Sequence, residues 1–316
     1  MSDEESKITC SKADHVLPRV LVLLSTYNGE RWLEELLSSV VAQTGVDVSM
    51  LVRDDGSTDS TCDILSSWQD QGKLKWYRGD NIGWAASFMH LLCHAPAHYD
   101  YYAFADQDDI WMADKLKTAV KRLEADGDSM KLYCGNLYHY REGAMPRLVY
   151  DSQPMVTVPT AMVKCITAGC TMVMDSRLRE TIARRQPDHV IAHDFWVYQT
   201  AVCLGSVCYD PQPHLLYRQH ASNQIGDKRS FKEIWQRRLH RLLHRETIGE
   251  RSDMARRLLD SYADLMTTDT KADVERAAYY KQSWASRWQL FTDSRYDMGH
   301  WENNLWLKLR ILLGQF

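Results

Sequence analysis

Residues 20–24 (Val-Leu-Val-Leu-Leu) form an unbroken apolar run, and a strand without polar alternation has to be buried on both faces. Such a strand needs cover from two sides, so the chain must supply helices for both. Trp32, Leu33, Leu36, Leu37, Val40 and Val41 then recur at helical spacing. The pattern repeats: strands are expected over 48–52, 74–77 and 101–105, with helices over 84–92 and 115–123. Strand-helix alternation of this kind predicts an α/β fold, Rossmann-like, with a mainly parallel mixed sheet and helices on both faces. Further along, 132–134, 147–150 and 171–174 read as strands, 194–204 as a helix, and 206–209 and 214–218 as two short strands. From Ser230 onward the chain is helical and rich in Trp, Arg and Leu, and the change of composition puts a boundary near Asp227.

At 316 residues the chain can bury one large core, or one core with an appendage. A net charge of −4 is too mild to imply a nucleic-acid partner. The eight cysteines contain no CxxC pair, so reduced, buried thiols and a cytoplasmic setting are expected. Residues 1–14 are polar and do not read as a signal peptide, and no stretch approaches the ~20 apolar residues of a membrane span.

The chemistry concentrates at Asp106-Gln107-Asp108-Asp109, directly behind the fourth apolar run. Three carboxylates at one sheet edge repel one another unless a cation sits among them. Hard oxygen ligands favour Mg²⁺ or Mn²⁺, metals that commonly hold a substrate diphosphate. Asp is also common in turns and helix caps, so these four residues do not decide the matter alone.

In open α/β sheets ligands bind beyond the carboxyl ends of the strands, and three more polar segments fall there. They are Ser25-Thr26-Tyr27-Asn28-Gly29, Asp54-Asp55-Gly56-Ser57-Thr58-Asp59 and Gly79-Asp80-Asn81-Ile82-Gly83-Trp84. Ser57 or Thr58 is the expected cap of the following helix. Asp55 can accept hydrogen bonds from a base or a ribose, Tyr27 offers a ring face or a hydroxyl, and Gly56 and Gly83 allow a tight turn. No phosphate-binding GxxxxGK[ST] loop is present and no GxGxxG follows the first strand, which argues against ATP-dependent phosphoryl transfer and dinucleotide redox chemistry.

Taken in order, residues 20–29, 53–59, 80–83 and 106–111 resemble a family 2 glycosyltransferase of the GT-A fold. His193-Asp194-Phe195-Trp196 and residues 217–226 resemble the rhamnosyltransferase-like branch that builds bacterial surface polysaccharides, O-antigen among them. The resemblance spans about residues 20–226. It implies a catalytic domain over 1–226, with a nucleotide-sugar half about 16–110 and an acceptor half about 111–226, and a helical region over 227–316.

For single residues, the resemblance implies that Thr26, Tyr27, Asn28, Asp55, Gly56, Asp80, Asn81, Gly83, Asp106 and Gln107 bind the donor. Asp108, Asp106 and His220 would hold Mg²⁺ or Mn²⁺, with Asp109 completing the shell. Asp194 would be the catalytic base, with Asp175 and Asp188 as the nearby alternatives. Gly169, Cys170, His193 and Trp196 would meet the acceptor. Many members carry Glu-Asp where this chain has His193-Asp194; the rhamnosyltransferase-like branch resembles the His-Asp form.

The implied activity is inverting transfer of a sugar, L-rhamnose from dTDP-L-rhamnose in the first instance, to a saccharide or lipid-linked saccharide. A sugar-1-phosphate nucleotidyltransferase and a catalytically inactive assembly scaffold are the rival readings. The former would need a basic glycine-rich loop that residues 25–31 do not supply.

Between Asp227 and Leu258 stand ten Lys/Arg and five Asp/Glu, a local excess of 10 − 5 = +5. Phe231, Ile234, Trp235, Leu239, Leu242 and Leu243 make an apolar stripe among these charges, the pattern of a helix lying on an anionic membrane or packed on the catalytic domain. Trp284, Trp288, Trp301 and Trp306 point to burial against a membrane or against a second subunit in a homodimer.

Overall fold

The computed structural model describes residues 16–127, 129–150, 152–220, 236, 240 and 250–316. The boundary near Asp227 and the stripe from Phe231 to Leu243 lie outside the described residues.

The first strand, β1 (Arg19–Thr26), runs parallel to β2 (Asp47–Asp54) on one side and to β4 (Tyr101–Asp106) on the other. β3 (Lys75–Arg78) extends β2, also in parallel. Beyond β4 come β8 (Val173–Asp175), β6 (Lys131–Tyr140), β9 (Ser206–Arg218) and β5 (Ile110–Trp111), in the order β3-β2-β1-β4-β8-β6-β9-β5. β7 (Arg147–Leu148) pairs with β6. The β6–β9 pair is parallel and the β8 and β5 pairings are antiparallel, so the sheet is mixed as expected.

The apolar run of β1 splits between two layers. Val20, Val22 and Leu24 face one core, with Leu33, Leu36, Leu37 and Val40 of α1 (Leu33–Val41), Leu65 of α2 (Thr61–Asp70) and Leu116, Val120 and Leu123 of α4 (Lys115–Ala125). Leu21 and Leu23 face the other, with Phe88, Leu91 and Leu92 of α3 (Trp84–His94), residues of α5 (Val158–Val163) and α6 (Ser176–Arg184), and Trp196, Val197 and Ala201 of α7 (His193–Leu204). Period-two alternation between two apolar layers is what a continuous hydrophobic strand demands.

The chain after residue 250 joins the second core. Met254, Leu258 and Tyr262 of α8 (Glu250–Tyr262), Val274 and Ala277 of α9 (Thr268–Ala278), Leu290 of α10 (Trp284–Thr292) and Leu307 and Ile311 of α11 (Trp301–Leu312) pack there. Among the described residues no helix is long and apolar enough to cross a membrane. No disulfide joins the described cysteines.

Several local expectations are corrected. The two short strands over 206–209 and 214–218 are one strand, β9, whose register against β6 shifts twice around Pro211 and Pro213. Proline removes ladder donors and creates the break that looked like a strand end. The strand expected over 171–174 starts later, because Gly169–Thr171 form a short 3-10 turn. The cap of α2 is Ser60, not Ser57 or Thr58.

Candidate active site

The parallel register of β1, β2, β3 and β4 brings all four polar segments to one edge of the sheet. There they are tied to one another. The Asn28 N–H donates to Ser57 Oγ (2.9 Å), and Asn28 Oδ1 accepts from the Thr58 N–H (2.9 Å). Asn28 has a φ of 48°, a conformation Asn tolerates better than most residues. The Ser57 hydroxyl also donates to Asp54, whose other oxygen accepts from the Ser57 N–H (2.9 Å). Ser57 is therefore a cross-link between loops, which is why it does not cap α2. Thr26 is buried and donates to Asp54 Oδ1 (3.2 Å).

Gln107 clips the first loop from the β4 side. Its Oε1 accepts from the Tyr27 N–H (2.9 Å) and its Nε2 donates to the Tyr27 carbonyl (3.1 Å). Gly29 makes this possible, since a Cβ there would collide with the Gln107 amide. The Tyr27 ring stays half-exposed at the rim.

Asp55 is buried and paired with buried Arg53. Its carboxylate also accepts from Ile82 N–H (3.3 Å) and Gly83 N–H (3.0 Å), while Arg53 donates to the Asp80 carbonyl (2.9 Å) and to Ser87 Oγ (3.1 Å). The ion pair thus sets the backbone of residues 80–83. Asp80 and Asn81 are exposed beside it. Gly56 and Gly83 take φ of 86° and 80°, the left-handed region that favours glycine.

At the end of β4, Asp106 and Asp108 are half-buried and Asp109 is fully buried. Burial, then Asp108 and Asp194, pushes the Asp106 carboxyl up to about 7. Burial, then Asp106 and Asp108, raises Asp109 well above the ordinary carboxylate range. Like charges crowded in a poorly solvated spot produce this effect.

Asp108 Oδ2 lies 2.5 Å from His220 Nε2, and the His220 ring stacks on Trp32 at 4.2 Å between centroids. Arg218 holds the adjoining backbone: its Nε donates to the Asp108 carbonyl (2.9 Å) and its guanidinium pairs with Glu35. The buried Lys115 ammonium sits 3.6 Å above the Trp111 ring, and burial lowers its pKa to about 8.

Asp194 occupies the second position of α7, where its Oδ1 accepts from the Phe195 N–H (2.7 Å). The helix dipole favours an anion there. It lies near enough to Asp106 to raise that carboxyl. The alternative Asp175 lies at the wrong edge: it pairs with Tyr101, the first residue of β4, about 16 Å from Asp106 at ~3.3 Å per strand residue. It caps α6 instead, accepting from the Leu178 N–H (2.9 Å). Asp188 is exposed in the loop after α6.

The four residues assigned to the acceptor are all buried. Gly169 backs directly onto the His193 ring, and His193 is wedged between Phe88 (centroids 4.2 Å, stacked) and the edge of Phe104. Burial lowers the His193 pKa to about 4, so the ring is neutral near pH 7. Cys170 is buried beside Asp106 and Asp109, its thiol raised well above the usual value by burial and then by those carboxylates. Trp196 is fully buried too and packs on Tyr262 of α8, so it offers an acceptor no more surface than Cys170 or His193. On a helix covered all round, residue type alone did not separate core from cleft.

Sequence reasoning missed Arg53, Lys115 and Trp32. Lys115 left a trace, since it shares the helical face of Leu116, Ala119 and Leu123, where a cation needs a reason to be. Gly79 was the trace of Arg53: a Cβ at Gly79 would strike the guanidinium.

Residues 21–225 match the family model described as Glycosyl transferase family 2. The chain is similar, at 32% identity over 233 residues, to the dTDP-rhamnosyl transferase RfbG of Shigella flexneri, covering 68% of this chain and 77% of that one. It is 36% identical over 222 residues to the putative teichuronic acid biosynthesis glycosyltransferase TuaG of Bacillus subtilis, covering 69% and 86%. In fold it resembles S. aureus TarS 1-349 in complex with UDP-GlcNAc, with a TM-score of 0.57, 16% identity, and 93% and 81% of the two chains covered. The mannosyltransferase PcManGT from Pyrobaculum calidifontis, solved with GDP-Man and Mn²⁺, gives a TM-score of 0.51 at 19% identity, covering 95% and 81%. The mixed sheet with helices on both faces is thus the GT-A fold, and the chain belongs to glycosyl transferase family 2.

Proposed function

We propose that this glycosyltransferase moves a sugar, with inversion, from a nucleotide diphosphate donor to a saccharide carried on a lipid at a membrane face. The observation that carries the reading is the meeting of Asp194, on a helix N-terminus, with the Asp106–Asp108 carboxylates at the end of β4. L-Rhamnose from its dTDP donor is the first candidate, supported by the similarity to the dTDP-rhamnosyl transferase of Shigella flexneri.

The residues present suit a divalent cation. Asp106 and Asp108 offer hard oxygens at a site too acidic to stand alone, and His220 offers an imidazole nitrogen against Asp108. The buried Asp106–Asp109–Cys170 group suits it less, since Mg²⁺ and Mn²⁺ disfavour sulfur. Asp108, Asp106 and His220 would hold the ion. A bound Mg²⁺ or Mn²⁺ supplies neutralising charge for a departing diphosphate.

The protein's own groups do the rest. The Asp194 carboxylate takes the proton from the acceptor hydroxyl as that oxygen bonds to the anomeric carbon, and the bond from that carbon to the diphosphate oxygen breaks. The tied loops and the exposed Tyr27, Asp80 and Asn81 receive the nucleoside. Family membership removes the nucleotidyltransferase alternative, and the inactive-scaffold alternative becomes an outcome of the test. The test is a thermal-shift screen of dTDP-, UDP- and GDP-sugars with Mn²⁺, followed by NMR of the anomeric product. Stabilisation by a dTDP-sugar and an inverted product are expected. Retention of configuration, or no turnover with any donor, would overturn the reading.

A further inference from the structure

The two last helices carry their apolar residues on the wrong side for a soluble surface. On α11, Leu307 and Ile311 face the core, yet Trp301, Leu305, Leu309 and Leu313 are 73%, 56%, 38% and 51% exposed. These four stand at successive i, i+4 positions and form one outward stripe at about 100° per residue. On α10, Trp284 and Trp288 are 75% and 59% exposed, again four apart. The two sets join. Trp288 stacks on Phe291 (centroids 5.1 Å), and Lys308 of α11 sits 5.5 Å above the Phe291 ring. Single exposed apolar residues need no account, but six of them on two adjoining helices mark a binding face.

We infer that this patch is a monotopic docking surface for an anionic lipid bilayer. Cations border it, with Glu302 the acid on the outward face of α11. Lys308 and Arg310 flank the α11 stripe on opposite sides at helical spacing, and the Arg287 guanidinium lies 4.7 Å over the Trp284 ring. Cations around an apolar, Trp-rich face match the interfacial region of a membrane with acidic headgroups. The inference rests on the proposed lipid-linked acceptor and names the surface that would bring the enzyme to it.

The test uses the full chain with vesicles of phosphatidylcholine alone and of equal parts phosphatidylcholine and phosphatidylglycerol. The wild-type chain should cosediment with the mixed vesicles and release in high salt. Leu305→Ser and Leu313→Ser, both at exposed positions, should each lower the partition coefficient roughly tenfold. Lys308→Glu should weaken binding to mixed vesicles while leaving that to neutral ones unchanged. Donor hydrolysis with Mn²⁺, measured in parallel, should be unaltered in all three variants. No vesicle binding by an enzyme that hydrolyses donor overturns the docking surface and leaves the proposed function standing. Vesicle binding without donor turnover does the reverse. A concentration-dependent dimer that these substitutions dissolve, without vesicle binding, would assign the patch to a second copy and overturn the inference.

Discussion

Gly169→Ala tests whether the backbone under α7 positions the proposed base. A Cβ at residue 169 would lie 2.5 Å from His193 Nε2, 3.2 Å from its Cε1 and 3.5 Å from the Asp194 Cβ. Non-bonded carbon contacts relax at roughly 3.5–4.0 Å, so the His193 ring must move by about 1 Å. It has nowhere to go: Phe88 stacks on one face at 4.2 Å, Phe104 meets it edge-on at 4.8 Å, and the Trp84 edge lies at 5.5 Å. Forced overpacking of this kind costs about 1–3 kcal/mol. The strain passes into the first turn of α7, which carries Asp194, and a misplacement near 1 Å lowers turnover by about 10²-fold. Thermal melting and transfer kinetics, with donor affinity from calorimetry, should show lower stability, a collapsed kcat and unchanged donor binding. Adding His193→Ala should recover much of the lost stability, because the two substitutions share one contact. A Gly169→Ala enzyme that melts and turns over like wild type would refute the packing argument.

Four other outcomes are expected. Asp108→Asn should abolish metal-dependent donor binding in calorimetry, and wild-type affinity would remove Asp108 from the metal set. Asp194→Asn should preserve donor binding while lowering transfer by about 10²–10⁴-fold, the range of general-base catalysis; normal turnover would exclude it as base. Gln107→Ala removes two hydrogen bonds to the Tyr27 backbone, so donor affinity should fall by about fivefold to thirtyfold at roughly 1 kcal/mol per bond, and an unchanged Kd would show that the clip is idle. Arg295, and after it Arg276, hold Asp293 at about 2. Its folded pKa lies below the unfolded value near 3.9, so its contribution is full above pH ~4 and lost as pH falls towards 2. Asp293→Asn should flatten that part of the melting-temperature profile, and an identical acid slope would count against the assignment.

The half of the fold that was legible in the sequence is the half built from buried parallel strands. β1, β2 and β4 announce themselves as apolar runs because both faces meet helices, and the polar residues that end them mark the shared edge. Beyond β4 the signals shrink or mislead. β5 has two residues, β8 has three, and β9 carries prolines within a long strand because its ladder is bulged there. The site divides in the same way. Carboxylates at strand ends could be read from position. Arg53, buried against Asp55, looked like the polar end of a strand, and its role appears only once the loop of residues 79–83 folds over it. Trp196 and Gly169 stand two residues from Asp194 and across from it, one turned to the core and the other pressed against His193, a difference of direction that spacing does not encode.

The cross-ties among the four loops carry a lesson for protein engineering. Asn28 reaches Ser57 and Thr58, Asp55 reaches Ile82 and Gly83, and Gln107 reaches back to Tyr27. A chimera that exchanges residues 25–29 or 54–59 for a homologue's version severs bonds in two other segments, and one that exchanges residues 79–84 or 106–109 severs bonds in one. Retargeting the enzyme to a new sugar nucleotide therefore calls for transplanting the four segments as a set, or for leaving the backbone alone and varying the outward side chains of Tyr27, Asp80 and Asn81.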